Sequence, residues 1–251
     1  MYTVKKQTII VYSSLGIGWL LLMLFIFSFI LSGCSKEVLA GSGMVITEQR
    51  PTGNFTDVTV DGPFYVHLQQ AADTRVEIIA ENNLMRVIET EVRDSILHIR
   101  LKKGVRLNFF KDIHINLKNT TYHSVDFSGS GNIDNTDTLH TAHFAYAING
   151  SGNARFTLET IKLETTINGS GSVNLCGSTS SYNSDINGSG DINGLDLLCS
   201  DASISVKGSG GHTLSVSHAL DVSIHGSGNV KYKGSPTVNS DIQGSGRVIK
   251  L

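Results

Sequence analysis

Ile148-Asn149-Gly150-Ser151-Gly152, Ile167-Asn168-Gly169-Ser170-Gly171 and Ile186-Asn187-Gly188-Ser189-Gly190 are one phrase written three times. Its Gly-Ser-Gly centre recurs in both directions, with glycine pairs Gly129 and Gly131, Gly150 and Gly152, Gly169 and Gly171, Gly188 and Gly190, Gly208 and Gly210, Gly226 and Gly228, and Gly244 and Gly246. Successive first glycines are 21, 19, 19, 20, 18 and 18 residues apart. Two residues before each stands an apolar side chain: Phe127, Ile148, Ile167, Ile186, Val206, Ile224 and Ile242. Two residues after each motif another usually follows (Ile133, Ala154, Val173, Ile192, Val230, Val248), and His212 alone breaks that column. Polar residues fill the positions between, so the alternation has the period of a strand with one buried face.

A unit of about 19 residues cannot bury such a face by itself. Equivalent strands can do so by stacking coil upon coil, about 4.8 Å apart. The glycines then serve as structural corner residues, since without Cβ they let neighbouring backbones approach closely. Asn149, Asn168 and Asn187 fall in register for a stacked amide ladder. The expected fold is all-β, a β-solenoid of parallel β-helix type. Hairpins folded into a sandwich would show the same alternation.

Residues 129–251 form the repeat half. Residues 44–128 are also β in pattern but less regular: Val58, Val60, Phe64, Val66 and Leu68 alternate around an Asp61-Gly62 turn signal, and Ile113, Ile115 and Leu117 alternate later. Leu84 to Thr90 reads as a short helix after an Asn82-Asn83 turn. This half is read as a degenerate part of the same fold, with a separate sandwich domain as the alternative.

The start of the chain has a different character. Lys5 and Lys6 precede an uncharged apolar run from Thr8 to Leu31, which ends in Leu31-Ser32-Gly33-Cys34. The run is either a secretory signal or a membrane-spanning helix. Leu31-Ser32-Gly33-Cys34 resembles the lipobox of bacterial lipoproteins. That resemblance implies removal of residues 1–33, lipid attachment at Cys34, and a short tether over 34–43. An uncleaved signal anchor is the alternative. Two or three acyl chains, at about 0.8 kcal/mol per buried CH₂, would hold the protein to the cell envelope, and the outer membrane is the expected location.

The charge balance, 20 basic against 22 acidic residues, gives no reason to expect a nucleic-acid partner. Charged residues make up only 17%, while glycine is abundant at 26 and proline rare at 3, a composition suited to many strands and tight turns. Besides Cys34 there are Cys176 and Cys199, which occupy different places in their repeats and read better as two small hydrophobes than as a disulfide.

The Ile-Asn-Gly-Ser-Gly phrases resemble the signature of the head GIN domain, a family labelled "putative auto-transporter adhesin". The earlier half fits its opening through Gly43, Val45, Arg50, Phe55, Val58, Val60, Gly62, Phe64, Val66, Leu68 and Gln69. The resemblance covers roughly Gly41 to Leu251. It implies a β-helix-like fold on exported proteins of Bacteroidota-type bacteria, many of them lipoproteins, and it implies no particular ligand.

The chain carries few groupings suited to chemistry. Asp126, Asp185 and Asp241 share the position three before the first glycine, but Ala147, Thr166, Ser205 and Ser223 intervene, so no paired carboxylates are expected. Gly188-Ser189-Gly190-Asp191 lacks the nonapeptide period of calcium turns. His140 and His143, three apart, are expected on opposite strand faces, so no metal and no cofactor are expected. Asp94-Ser95-Ile96 and Asp137-Thr138-Leu139 resemble O-glycosylation tripeptides. The expectation is a binding module that presents a polar Ser/Thr/Asn surface to a glycan or protein, with Tyr65, Tyr122, Tyr146, Tyr182 and Tyr232 as candidate stacking platforms. Self-assembly as a structural envelope protein is the runner-up, and a polysaccharide-acting enzyme comes third.

Overall fold

The computed structural model describes residues Glu37–Leu251, so the proposed signal peptide and Cys34 lie outside the described residues. The compact unit that carries the fold runs from Leu39 to Leu251. Among the described residues no helix is long and apolar enough to cross a membrane. The strands are β1 (Glu37–Ala40), β2 (Val45–Arg50), β3 (Asp57–Asp61), β4 (Phe64–Gln70), β5 (Arg75–Glu81), β6 (Ile88–Arg93), β7 (Ile96–Leu101), β8 (Val105–Asn108), β9 (Ile113–Asn119), β10 (Ser124–Gly129), β11 (Asn132–Asn135), β12 (Leu139–Gly150), β13 (Asn153–Gly169), β14 (Ser172–Gly188), β15 (Asp191–Gly208), β16 (Gly211–Gly226), β17 (Asn229–Lys233), β18 (Thr237–Gly244) and β19 (Arg247–Lys250).

The repeat half is a parallel β-solenoid. In β13 an outgoing leg, Asn153 to Thr160, bends at Ile161, and a return leg, Lys162 to Gly169, leads to the next Gly-Ser-Gly turn. Both legs pair in register with β14, from Asn153 on Ser172 to Gly169 on Gly188, and only the far corner at Ile161 is left out. Strand alternation sends Ala154, Phe156 and Leu158 inward from one leg and Leu163, Thr165 and Ile167 from the other. Stacking makes each inward position a column. Phe127, Ile148, Ile167, Ile186, Val206 and Ile224 are successive register partners and all are buried.

The corner requires glycine. At Gly169 the backbone has φ +140°, and a Cβ there would collide with the carbonyl oxygen of Gly150 in the coil before. That same oxygen accepts a hydrogen bond from the Ser170 N–H at 3.0 Å, so the turn is tied to its neighbour by backbone alone.

The earlier half belongs to the same stack. β10 pairs in parallel with β3, and β11 with β4, so Gly62-Pro63 takes the place of a Gly-Ser-Gly corner beneath Gly129. A further coil, β7 and β9, pairs in parallel below β3 and β4. The antiparallel strands β6, β5 and β2 then close that end. The expected helix over Leu84–Thr90 is a single 3-10 turn, Met85–Val87, after which Ile88 begins β6. Ile88 to Arg93 is rich in β-branched residues and finds a ready partner in β7, which outweighs local helix preference. Asp94-Ser95 forms the tight hairpin between β6 and β7, with φ of 50° and 63°, as a primed turn demands.

At the other end β18 and β19 each pair on one side, with β16 and β17. Their inward-column residues lose cover there: Ile242 is 39% exposed, whereas Ile224 beneath it is fully buried.

Candidate functional site

With the interior filled, the solenoid offers its two outer faces. On the return-leg face the expected amide ladder forms. Asn149 donates to Asp126 at 3.0 Å, Asn168 to Asn149 at 2.8 Å, and Asn187 to Asn168 at 3.0 Å.

Beside this ladder lies a depression of about 330 Å³. Its floor is set by Ala145 and Ala147, whose outward methyls fall in the columns that hold Ser124 and Asp126 before them and Glu164 and Thr166 after them. Two small side chains among larger ones leave the concavity. Asp126, Glu164, Thr166, Asn183 and Asp185 rim it. The Glu164 carboxylate meets Lys162 Nζ at 2.6 Å and His143 Nε2 at 2.8 Å, and these partners hold it below the usual carboxylate range. The depression therefore combines a fixed anion with amide and hydroxyl groups on a rigid floor, an arrangement suited to hydrogen-bonding a polar ligand.

Asp126 and Asp185 sit three strand steps apart in one column, about 14 Å between backbones at the usual strand spacing. Asp241 lies three steps further on. His140 and His143 both face outward, because the far corner between them resets the alternation. His140 lies 3.3 Å from Glu159. No three His, Cys, Asp or Glu side chains suited to a metal come together among the described residues.

Of the five tyrosines considered as platforms, Tyr122, Tyr146 and Tyr182 are buried in the core, and only Tyr65 and Tyr232 are partly exposed. The three fall on inward positions of their strands, which excludes them from any surface role. Cys176 and Cys199 are both free, since Cys199 pairs with Thr179 rather than with Cys176. Cys199 is buried and Cys176 half-buried. His212 does not break its column in space. It is fully buried, with Nε2 3.1 Å from the Tyr182 hydroxyl, which also meets Thr165 Oγ1 at 3.0 Å.

One cluster has no trace in the spacing. His67 Nδ1 lies 2.7 Å from Asp134 Oδ1 and its Nε2 3.2 Å from His114 Nδ1, with Tyr65 tilted against His114 at 5.2 Å between rings. β4, β9 and β11 bring these residues together from segments far apart in the chain.

Solved structures share the fold. A crystal structure described as a putative adhesin from Bacteroides fragilis superposes with TM-score 0.82 at 24% identity, covering 85% of this chain and all of that one. One described as a putative adhesin from Parabacteroides distasonis gives 0.71 at 23%, covering 86% of this chain and all of that one. One described as a putative lipid binding protein from the same species gives 0.74 at 20%, with the same coverage. These crystallised chains are matched end to end by part of this one. No curated protein matches the sequence. The family model described as "Putative auto-transporter adhesin, head GIN domain" matches residues 54–236, and the chain belongs to that family.

Proposed function

We propose that this chain is an exported binding protein of the cell envelope, lipid-tethered at Cys34 after removal of residues 1–33 and held at the outer membrane. Its return-leg depression and amide ladder engage a glycan, and it performs no catalysis. The observation that carries this reading is the depression itself. Acid, amide and hydroxyl groups stand at fixed register around a floor of Ala145 and Ala147. A saccharide offers the matching hydroxyls, and a rigid scaffold orders few side chains on binding. The adhesin descriptions of the relatives agree with it. The test is binding of the unit 39–251 to arrays of glycans and matrix proteins, together with Ala147→Arg, which fills the depression from an outward position. The reading expects a restricted set of glycans bound by the parent and lost in the variant. Equal binding by both, or none by either, would overturn it.

Self-assembly is favoured by a different observation. β18 and β19 leave strand edges unpaired among the described residues, with Val238, Ile242 and Ile249 exposed between 36% and 39%. Such edges invite pairing with another chain. A concentration-dependent mass for the unit in sedimentation, abolished by Ile242→Lys, is the result this reading expects.

A further inference from the structure

At the far corner, opposite the Gly-Ser-Gly turns, the coil between Gly188 and Gly208 carries 20 residues where its two predecessors carry 19. The extra residue is absorbed between Asn193 and Asp196, where the register with β14 shifts. Leu198 takes the outward position that Glu159 and Ser178 hold in the two coils before, and is 67% exposed. Two coils on, Gly234 lies against the Val216 backbone with φ +107° and adds no side chain at the corner, where Val216 itself stays buried. A cavity of about 410 Å³ results, lined by Leu198, Cys199, Val216 and Lys233 together with three serines. It is within the size range of small-molecule sites.

The lining's polar groups are nearly all committed. Ser215 donates to the Leu195 carbonyl at 2.7 Å, Ser217 to the Cys199 carbonyl at 3.3 Å, and Ser200 to Asp201 at 3.0 Å. The Cys199 thiol donates to the Ser215 carbonyl at 3.0 Å. The walls therefore present carbon. The Lys233 side chain, exposed on the outer face beside Ser215, makes no hydrogen bond or ion pair among the described residues. An apolar concavity with one uncommitted ammonium at its rim does not suit a sugar, which needs several polar partners at once. It suits an aliphatic chain that ends in a single anion.

We propose that this corner binds a free, single-chain aliphatic carboxylate, with the chain against Leu198 along the concavity beside Gly234 and the carboxylate paired to Lys233. The volume and the single cation fit one chain and one charge rather than a two-chain phospholipid. The site is separate from the return-leg depression, so its failure leaves the glycan reading intact.

The experiment is calorimetric titration of the unit 39–251 with decanoate, decanol and decylammonium, below their aggregation concentrations. Decanoate is expected to bind saturably at one site, decanol more weakly, and decylammonium not at all. Lys233→Glu, on an exposed side chain, is expected to weaken decanoate on the order of five- to tenfold, the size of losing and reversing one exposed ion pair. Leu198→Asp, also exposed, is expected to abolish binding by removing the apolar wall and placing a like charge beside the ligand, with circular dichroism checking that the coils persist. Absence of saturable decanoate binding would overturn the proposal, and so would equal affinity in parent and Lys233→Glu. So would binding to anionic phospholipid vesicles with none to decanoate.

Discussion

Replacing Gly169 by alanine tests the stacking of the corners directly. The substitution has two separable costs. The first is local, because φ of +140° is sparsely populated for any residue with a Cβ and costs about 1–3 kcal/mol. The second is between coils. The new methyl would occupy the place of the Gly150 carbonyl oxygen, so one coil must move and the bond from Ser170 N–H to that oxygen is broken, costing about 1 kcal/mol. Together they amount to about 2–4 kcal/mol. Gly104 supplies the control. Its φ is +85°, yet a Cβ there meets nothing within 4 Å, so Gly104→Ala bears only the local cost of roughly 1–2 kcal/mol. Urea unfolding of the unit 39–251, followed by circular dichroism with the slope checked for constancy, gives both values. Gly169→Ala should be the more damaging by about 1 kcal/mol, the between-coil cost, and amide exchange should quicken in β12, β13 and β14 first. If the two substitutions cost the same, the corners do not touch and the stacked-coil account of the glycine period fails.

Other predictions follow from the buried polar groups. His212 has no partner for Nδ1, and desolvation pushes its pKa from an ordinary 6.5 down to about 3. The unfolded chain therefore takes up a proton that the folded chain refuses. Stability from this residue is full above pH 6.5 and falls as the pH drops toward 3, by about 1.4 kcal/mol per unit. His212→Leu should remove that pH dependence and change stability at pH 7.5 by no more than about 1 kcal/mol, since the unsatisfied Nδ1 and the bond from Nε2 to the Tyr182 hydroxyl are lost together. Urea midpoints of parent and variant at pH 7.5, 5.5 and 4.5 check both statements, and parallel curves for the two proteins would refute them. Burial pushes the Cys199 thiol up to about 12, so in the folded unit it should resist a thiol reagent at pH 8 while half-buried Cys176 reacts first. Counting modified thiols before and after urea separates them, and two equally fast thiols in the folded state would refute the assignment.

The parts of this fold that show in the sequence are the periodic ones. The column from Phe127 to Ile242 and the amide ladder through Asn168 are legible because a coil repeats its chemistry every 18 to 21 residues. The period also fails informatively. Gly62-Pro63 lies directly below Gly129, yet the chain between them makes the excursion through β5 to β9, and no spacing rule links residues across an insertion of that kind. His67, His114 and Asp134 meet for the same hidden reason. His212 looks polar and therefore external, but its parity places it inside, where the Tyr182 hydroxyl supplies a partner that sequence distance conceals. The two cavities are a different case. Each arises where a column departs from its neighbours: small Ala145 and Ala147 among longer side chains, and an extra residue before Leu198 followed by Gly234. A repeat scaffold gains a specific surface only by such departures, because a perfectly periodic stack presents the same shallow face at every coil. The residues that carry binding in this protein are therefore to be sought where the repeat is broken, among side chains that the repeat pattern itself would discard as noise.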